Sequence, residues 1–273
     1  MNSALQKQIA LEMQAFLKES PLPGALQGMR DFSFLYHFES ERHWLIKELL
    51  CRAGIAQDQR IDVLDVGFLH GLTQEFFHRA FPNSQIDVLE RPGSPIFKDE
   101  VYMRFVRSKP FLNLIPSSLQ DFKPSKLYDV IVIGEVIEHL DPSVVGTVLA
   151  ALRKAAKPDS VLIITTPNAA SAYNCYMTFT GKDAVQVAPI PDAMMGFGHI
   201  HLWSYRLLVE TAKHSGWNAK AVEFLHGREA EKFDEVRRPG TPWKSKLFVR
   251  MLKFVATRKA SARGFFVATF GAD

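Results

Sequence analysis

The feature that most constrains this chain is a short apolar run, from 61 to 66, that ends in Asp65-x-Gly67. A run of this kind predicts a strand buried on both faces, as in a parallel sheet. Gly67 and Gly71 permit a sharp turn with close backbone approach, and residues 72–81 continue with helical spacing. The strand, turn and helix together predict the first unit of a doubly wound α/β fold.

A second apolar strand is predicted over 84–90, and it closes on Glu90. Glu90 lies about twenty residues beyond the glycine turn, where a carboxylate can accept both ribose hydroxyls of an adenosine. The alternative is a solvated loop charge. The spacing favours a nucleoside site where the two strands end.

Another buried strand is predicted over 128–134, and it runs directly into the polar residues Glu135, Glu138 and His139. Open α/β proteins bind ligands outside the carboxyl ends of their parallel strands, so this cluster is expected at the edge that carries the glycine turn. The next elements are predicted as a helix over 144–156, a turn at 157–160 and a strand over 161–168.

This order of elements resembles the class I S-adenosylmethionine-dependent methyltransferases, above all the branch with the ubiquinone-pathway and small-molecule O-methyltransferases. The phrases that carry the resemblance lie within about residues 60 to 227 and are VLDVG, YDVIVIGEVIEHLDP, LRKAAKP, VLIITTPN and GHIHLWS. The resemblance implies an α/β fold with a Rossmann-like, seven-stranded, mostly parallel sheet, helices on both faces and an antiparallel last strand. Residues 219–225 and 264–270 would form the antiparallel pair that closes the sheet.

The same resemblance implies S-adenosylmethionine as the cofactor, held by the turn and the neighbouring strand ends. The cofactor-binding residues would be Asp65, Gly67, Phe68, Gly71, Glu90, Ser118, Leu119 and Glu135. Ser118 and Leu119 follow the third strand, where the family often has an acidic residue, and would reach the adenine through a hydroxyl or a backbone amide. Leu69 stands where the family turn has its middle glycine, so its side chain can crowd the methionine part of the cofactor, or the turn can require a positive φ that leucine tolerates badly.

Methyl transfer to a hydroxyl requires a nucleophile aligned with the carbon–sulfur bond and a base that removes its proton. His139 is the predicted base, with Glu138 beside it and His199 and His201 arriving from a later segment. These four residues are the predicted catalytic group. The alternative for His139 is a structural role at the start of a helix.

The same residue types also suit a divalent cation, because carboxylates and imidazoles are common ligands. Glu135, Glu138 and His139 resemble the Glu-x-x-Glu-His run of the small-RNA 2′-O-methyltransferases, with His199 and His201 as competing further ligands. Such a cation is an alternative, and the metal-free version is the one favoured here.

The chain divides into two predicted parts. Residues 1–58 are expected to form N-terminal helices that cap the core, and residues 59–273 the methyltransferase domain. Within it, segment 169–200 is rich in aromatic and methionine side chains and lies after a strand end, which suits a lid over an apolar acceptor. The acceptor is expected to be a small or lipid-linked hydroxyl compound. The alternative is a segment that packs only on its own core.

The C-terminal residues 228–273 carry a net charge of +6, whereas the rest of the chain sums to −2. A basic amphipathic helix is predicted over about 243–259, which suits peripheral contact with a membrane. A packed helix with solvated lysines is the plain alternative, and nucleic acid is the less favoured partner. The sequence shows no signal peptide or membrane-spanning run, and its two cysteines form no framework, so a cytoplasmic location is expected.

Two other functions remain open at this point. One is a methyltransferase-fold protein without catalysis, a binding or scaffold subunit whose turn has changed at Leu69. The other is an RNA methyltransferase guided by the basic C-terminal residues.

Overall fold

The structure, a computed structural model, describes residues 3–19, 35–68, 71–179, 199–226, 240 and 243–272. Within them a seven-stranded sheet has the order β3-β2-β1-β4-β5-β7-β6. Its strands are β1 Ile61–Val66, β2 Ser84–Glu90, β3 Leu112–Pro116, β4 Tyr128–Gly134, β5 Ala156–Pro167, β6 Asn218–Leu225 and β7 Phe265–Gly271. The first five strands are parallel, and β7 pairs antiparallel with both β5 and β6. The predicted fold class is confirmed.

Helices cover both faces of this sheet. The α-helices of the described residues are α1 Ser3–Glu19, α2 Ser40–Arg52, α3 Leu72–Ala80, α4 Glu100–Arg107, α5 Pro142–Lys154, α6 Ala172–Phe179, α7 Tyr205–His214 and α8 Trp243–Arg258. A π-helix at Leu35–Glu39 leads into α2, and 3-10 turns lie at Pro95–Lys98, Ile137–His139 and Ala260–Ala262. None of the helices so described is long and apolar enough to cross a membrane.

The two faces of the sheet build separate cores because side chains alternate along each strand. On β1, Val63 faces a core shared with α2, α3 and α4. The neighbouring Leu64 faces a core shared with α5 and α7, which also contains Trp203 and Trp217. A smaller cluster joins α1 to Leu35 and Leu72.

The site edge of the sheet follows from its strand order. β1 pairs with β2 on one side and with β4 on the other. Successive strands are therefore added in one direction from β1 to β3 and in the opposite direction from β4 onwards. The junction of β1 and β4 is the switch point at which open α/β sheets bind ligands. Asp65 is level with Val132 in the register of β1 and β4. The residues that follow both strands therefore meet at this edge.

One local prediction is wrong. The turn expected at 157–160 lies inside β5, which begins at Ala156 and pairs with the start of β4. The register shifts between Tyr128 and Val130, so an irregular ladder accommodates Pro158 within the strand. The expected lid over 169–200 falls largely on residues 180–198, which lie outside the described residues, as does Leu69. The division at residue 58 stays a prediction.

Candidate active site

The turn after β1 brings its backbone to the end of β2. Gly67 has φ +91°, a conformation that favours glycine, and its N–H donates to the Leu89 carbonyl at 2.9 Å. The next N–H, that of Phe68, donates to Glu90 Oε2 at 2.9 Å. The Glu90 carboxylate is thereby fixed against the turn, with its other oxygen making no hydrogen bond to the described residues.

Gly71 closes the turn and begins α3. It has φ +75°, and a Cβ at this position would lie 2.8 Å from Cε1 of Phe105. The Phe68 ring is buried with its centroid 6.1 Å from that of Tyr102 and 6.4 Å from that of Phe105. Phe68 is therefore a core side chain, and its N–H and carbonyl already bond to Glu90 and Gly71. Its role in cofactor binding stays a prediction.

Asp65 is a buried acid at the carboxyl end of β1. Gln74 Nε2 donates to its Oδ2 at 2.6 Å. Burial raises the pKa of Asp65 to about 7, against the lowering effects of the Gln74 hydrogen bond and the charge of Arg42. Its proton is therefore gained and lost near neutral pH.

Arg42 is a site residue that the sequence analysis missed. It lies on α2, is 5% exposed, and donates to Glu39 Oε2 at 2.7 Å. Burial opposes its charge, but Glu39, Glu135 and Asp65 outweigh burial and raise its pKa. Its Nε is buried without a hydrogen bond among the described residues, so one donor of the guanidinium is left unsatisfied. Its spacing with the apolar residues of α2 was the available signal.

Glu135 follows β4 in a conformation that is rare for residues other than glycine, with φ +54°. Its N–H donates to the Thr165 carbonyl at 3.0 Å, and Thr165 Oγ1 donates to its Oε1 at 2.8 Å. Both bonds tie Glu135 to the end of β5, so neighbouring structure holds the strained residue in place. Strain of this kind occurs at binding and catalytic sites.

Glu138 lies fully buried in the 3-10 turn after β4. Thr166 Oγ1 donates to its Oε2 at 3.0 Å, whereas its Oε1 has no hydrogen bond among the described residues. Burial, reinforced by the negative charge of Glu135, raises the pKa of Glu138 well above its usual range. Both effects favour the protonated form of the carboxyl group.

His139 and His199 meet beside Glu138. Their ring centroids are 4.8 Å apart with the planes at 62°, and Nε2 of His199 lies 3.9 Å from Glu138 Oε1. One nitrogen or oxygen from each of the three residues falls within 4.8 Å of the others. The structure thus brings together three of the four predicted catalytic residues.

His201 points to a different environment. Its N–H donates to the Glu138 carbonyl at 3.2 Å, but its ring lies against Trp203, at 4.9 Å between centroids. Trp203 is itself held by a hydrogen bond from its indole Nε1 to the Ile137 carbonyl at 3.3 Å. Of the two competing histidines, His199 is the one beside Glu138.

Ser118 and Leu119 lie beyond β3, next to the end of β2. The Ser117 N–H donates to the Glu90 carbonyl at 3.0 Å, which fastens the two strand ends together. The Ser118 hydroxyl donates to Asp121 Oδ2 at 2.6 Å, and Leu119 is buried. Leu119 packs in the core that also contains Val66 and Leu89, the residues near the ends of β1 and β2.

These residues fit an adenosyl cofactor. Glu90 presents a carboxylate oxygen for ribose hydroxyls, and the glycine turn permits close approach of its backbone. Arg42 has a buried N–H to offer to a carboxylate. The cofactor-binding assignments made from the sequence remain predictions, now with a consistent geometry.

Comparison with known proteins identifies the family. The fold and the strand-end site define a Rossmann-like enzyme domain. A sequence model described as "Methyltransferase domain" matches residues 38–222, and the chain belongs to this family. A search of curated proteins by sequence finds no match. The expected class I superfamily is confirmed, whereas its ubiquinone-pathway branch stays a prediction.

Solved structures share the fold at low sequence identity. A SAM-dependent methyltransferase from Archaeoglobus fulgidus is 18% identical, with 84% of this chain and 94% of that one covered and a TM-score of 0.53. Coclaurine N-methyltransferase, bound to N-methylheliamine and SAH, is 12% identical, with 98% and 87% covered and a TM-score of 0.56. The 1,6-didemethyltoxoflavin-N1-methyltransferase of Burkholderia thailandensis is 11% identical, with 98% and 89% covered and a TM-score of 0.53.

Proposed function

We propose that this protein uses S-adenosylmethionine to methylate a hydroxyl group of a small or lipid-linked acceptor. The observation that carries the proposal is the group formed by Glu138, His139 and His199 at the carboxyl end of β4. It lies next to Glu135 and across from the glycine turn. This arrangement supports a proton acceptor beside the predicted cofactor site.

The cofactor side is assigned from the strand ends. Glu90 would bind the ribose hydroxyls, Leu119 and Ser118 would contact the adenine, and Gly67 would allow close backbone approach. Arg42 would bind the carboxylate of the methionine part. When bound, S-adenosylmethionine supplies an electrophilic methyl group, and the protein's task is to align the acceptor with it.

His139 is the proposed general base. An imidazole has its ordinary pKa near 6.5, so it can take a proton at neutral pH. Glu138 is the proposed positioning residue. Burial raises its pKa and so favours the protonated carboxyl, which can donate a hydrogen bond to His199 after a movement of less than about 1 Å from the 3.9 Å separation. His199 would then hold the His139 ring, which it meets edge to face.

A hydroxyl acceptor is preferred to an amine because of this base. A neutral amine attacks through its lone pair without first losing a proton, whereas a hydroxyl becomes a strong nucleophile only when its proton is removed. Two of the structural neighbours carry N-methyltransferase names, so an amine acceptor is the nearest alternative. The motif resemblance to the ubiquinone-pathway branch favours a hydroxyl on a lipid-linked ring.

A divalent cation remains the second mechanism for the same site. Glu138, His139 and His199 supply three ligand atoms, but those atoms are spread over as much as 4.8 Å, and one belongs to an acid whose pKa is raised by burial. Ligands 2.0 to 2.2 Å from an ion must lie within about 4.4 Å of each other, so the group would have to contract. The metal-free base is therefore the proposal.

The proposal is tested with a cofactor that carries a deuterated methyl group. The protein is incubated with it and with aqueous and organic extracts of its source cells, and labelled products are identified by mass spectrometry. A labelled methyl ether supports the proposal, whereas a labelled methyl ester would replace the hydroxyl acceptor by a carboxylate. Label on nitrogen would replace the hydroxyl acceptor by an amine, label in RNA would favour the RNA enzyme, and cofactor binding without any product would favour the scaffold.

A further inference from the structure

The C-terminal helix α8 presents large apolar side chains to solvent. Trp243, Leu247, Met251 and Phe254 are each 53 to 69% exposed. They are spaced four, four and three residues apart, so they form one stripe along the helix. Isolated exposed apolar residues need no explanation, but a stripe along about three turns of one helix marks an interaction surface.

This stripe lies on a helix whose other face is packed. Val249, Leu252 and Ala256 are buried, which fixes the orientation of α8 on the domain. The ring of Phe248 stacks on Tyr176 of α6 with 3.8 Å between centroids. The outward stripe therefore belongs to a docked helix and is distinct from the face that the fold buries.

Cations border the stripe. Helix α8 contains no acidic residue, and its basic residues are Lys244, Lys246, Arg250, Lys253 and Arg258. Within the described part of the chain, Lys244, Lys246, Arg250 and Arg258 form no salt bridge. The cationic groups of Lys244 and Arg258 lie over the rings of Trp243 and Phe254, at 5.9 and 5.3 Å from the centroids. Positive charge and apolar surface thus occur on the same outward face.

We propose that this outward face of α8 binds the surface of an anionic lipid bilayer, with the helix axis parallel to the membrane. The four apolar side chains would enter the region between headgroups and acyl chains, and the bordering cations would contact lipid phosphates. This binding is independent of the proposed methyl transfer, since it requires neither cofactor nor acceptor.

The charge and the apolar area of this face favour an anionic bilayer over a nucleic acid or a second copy of the chain. A nucleic-acid backbone would pair with the cations but would leave the central stripe of Trp243, Leu247, Met251 and Phe254 against a polar surface. A second copy of the chain would cover the stripe but would bring two sets of helix cations together. An anionic bilayer satisfies both features at once.

The position of α8 also relates the membrane to the candidate active site. Asn168, directly after β5, donates through Nδ2 to the Ser261 and Arg263 carbonyls at 3.0 and 2.8 Å. The chain just beyond α8 is thereby fastened to the carboxyl end of β5. Resting on the proposed function, this would place the acceptor side of the site near the lipid from which a lipid-linked acceptor comes.

The experiment is flotation of the full chain with vesicles, without cofactor. Vesicles of phosphatidylcholine alone are compared with vesicles that also contain phosphatidylglycerol. We expect binding to the anionic vesicles, weakened by salt. The variant Leu247→Ser/Met251→Ser/Phe254→Ser should bind at least about tenfold less, since each buried apolar side chain contributes to partitioning. A second variant, Lys246→Gln/Arg250→Gln, should lose about fivefold per charge removed.

The matched control is Leu5→Ser/Leu11→Ser/Leu127→Ser, which changes exposed leucines on other elements and should bind as the parent protein does. Circular dichroism melts confirm that each variant folds. The proposal is overturned if the parent fails to bind anionic vesicles, binds neutral ones equally, or binds no better than the α8 variants. It is also overturned if light scattering shows a dimer that the triple α8 variant dissociates, or if RNA displaces the vesicles.

Discussion

The acidic residues at the two ends of the parallel strands differ in whether they form ion pairs. At the amino end, Lys126 Nζ lies 2.8 Å from Asp62 Oδ1, and Lys157 Nζ lies 2.7 Å from Asp129 Oδ2. Lys126 also reaches Asp87 at 3.1 Å. Partial burial tends to raise the pKa of Asp62, but Lys126 and Lys157 together lower it below its usual range. Charges at this end are paired and remain charged.

At the carboxyl end, hydrogen bonds and nearby positive charge do not offset the effect of burial on the acids. Burial raises the pKa of Asp65 to about 7 and places that of Glu138 well above its usual range. Arg42 is the buried cation nearby, and it is shared among Glu39, Glu135 and Asp65. The same sheet thus has a structural end, where pairing stabilises the fold, and a chemical end, where proton affinities are shifted. Functional sites concentrate such shifts.

The largest expected effect is a loss of activity on removing His139, the proposed general base at the carboxyl end of the sheet. His139→Ala should lower methyl transfer about 10²- to 10⁴-fold, because the acceptor proton loses its acceptor. The pH profile of the parent should rise through the ordinary imidazole range and survive chelators. His214, exposed at the end of α7, provides the control His214→Ala, which should retain activity. If a chelator abolished activity and Mg²⁺ or Mn²⁺ restored it, the metal mechanism would replace the general-base mechanism.

The next effect concerns stability at the two ends. Because the folded pKa of Asp65 lies above the unfolded value, its ionisation costs stability as pH rises from about 4 to 7. Asp65→Asn should therefore raise the free energy of unfolding at pH 8 by roughly 2 to 4 kcal/mol, with the gain vanishing near pH 4. Urea melts at several pH values measure this.

The matched variant at the structural end is Asp62→Asn. The folded pKa of Asp62 is lowered, so its contribution exists above the unfolded pKa and is lost as pH falls through the folded pKa. Its side chain is 35% exposed, so the variant should lose at most about 1 kcal/mol at pH 7. If both variants were destabilised alike at pH 8, the contrast between the two ends would be wrong.

A smaller effect is expected at the ribose site. Glu90→Ala should weaken binding of S-adenosylhomocysteine by about 1.5 to 3 kcal/mol, the contribution of one charge-assisted hydrogen bond. Glu100→Ala removes an exposed acid of α4 and serves as the control. Equal affinities of the two variants would remove Glu90 from the site.

The smallest expected effect is at Leu69. If its side chain crowds the methionine part of the cofactor, Leu69→Gly should tighten cofactor binding a few-fold, despite a backbone entropy cost of roughly 0.5 to 1 kcal/mol. Calorimetry with both proteins measures the difference. Weaker binding by the glycine variant would show that the turn is adapted to leucine.

The strands of the central sheet were predictable because they are continuous apolar runs. β1 and β2 have the bounds expected from sequence, 61–66 and 84–90. The start of β5 was not, because Pro158 and its polar neighbours indicate a turn, whereas the pairing of Ala156 with Tyr128 of β4 begins the strand before them. Local preference yields to tertiary pairing where the two disagree.

The candidate site was only partly predictable. Glu138 and His139 stand in a motif, but Arg42 reads in sequence as an ordinary charge on a packed helix. Its spacing with Leu45 and Leu49 indicates the buried face of α2, but the acids that it meets become visible only in the structure. The choice between His199 and His201 was open for a similar reason. It depends on the hydrogen bonds from the backbone N–H groups of residues 200 and 201 to the Glu138 carbonyl, which only the structure shows.

The central claim, that the carboxyl end of the sheet binds an adenosyl cofactor, is tested most directly by calorimetric titration of the purified protein with S-adenosylhomocysteine. The account predicts saturable binding at one site per chain and a thermal midpoint that rises with ligand concentration. An absence of heat and of any thermal shift at millimolar ligand would contradict it, and would leave a methyltransferase fold that serves as a scaffold.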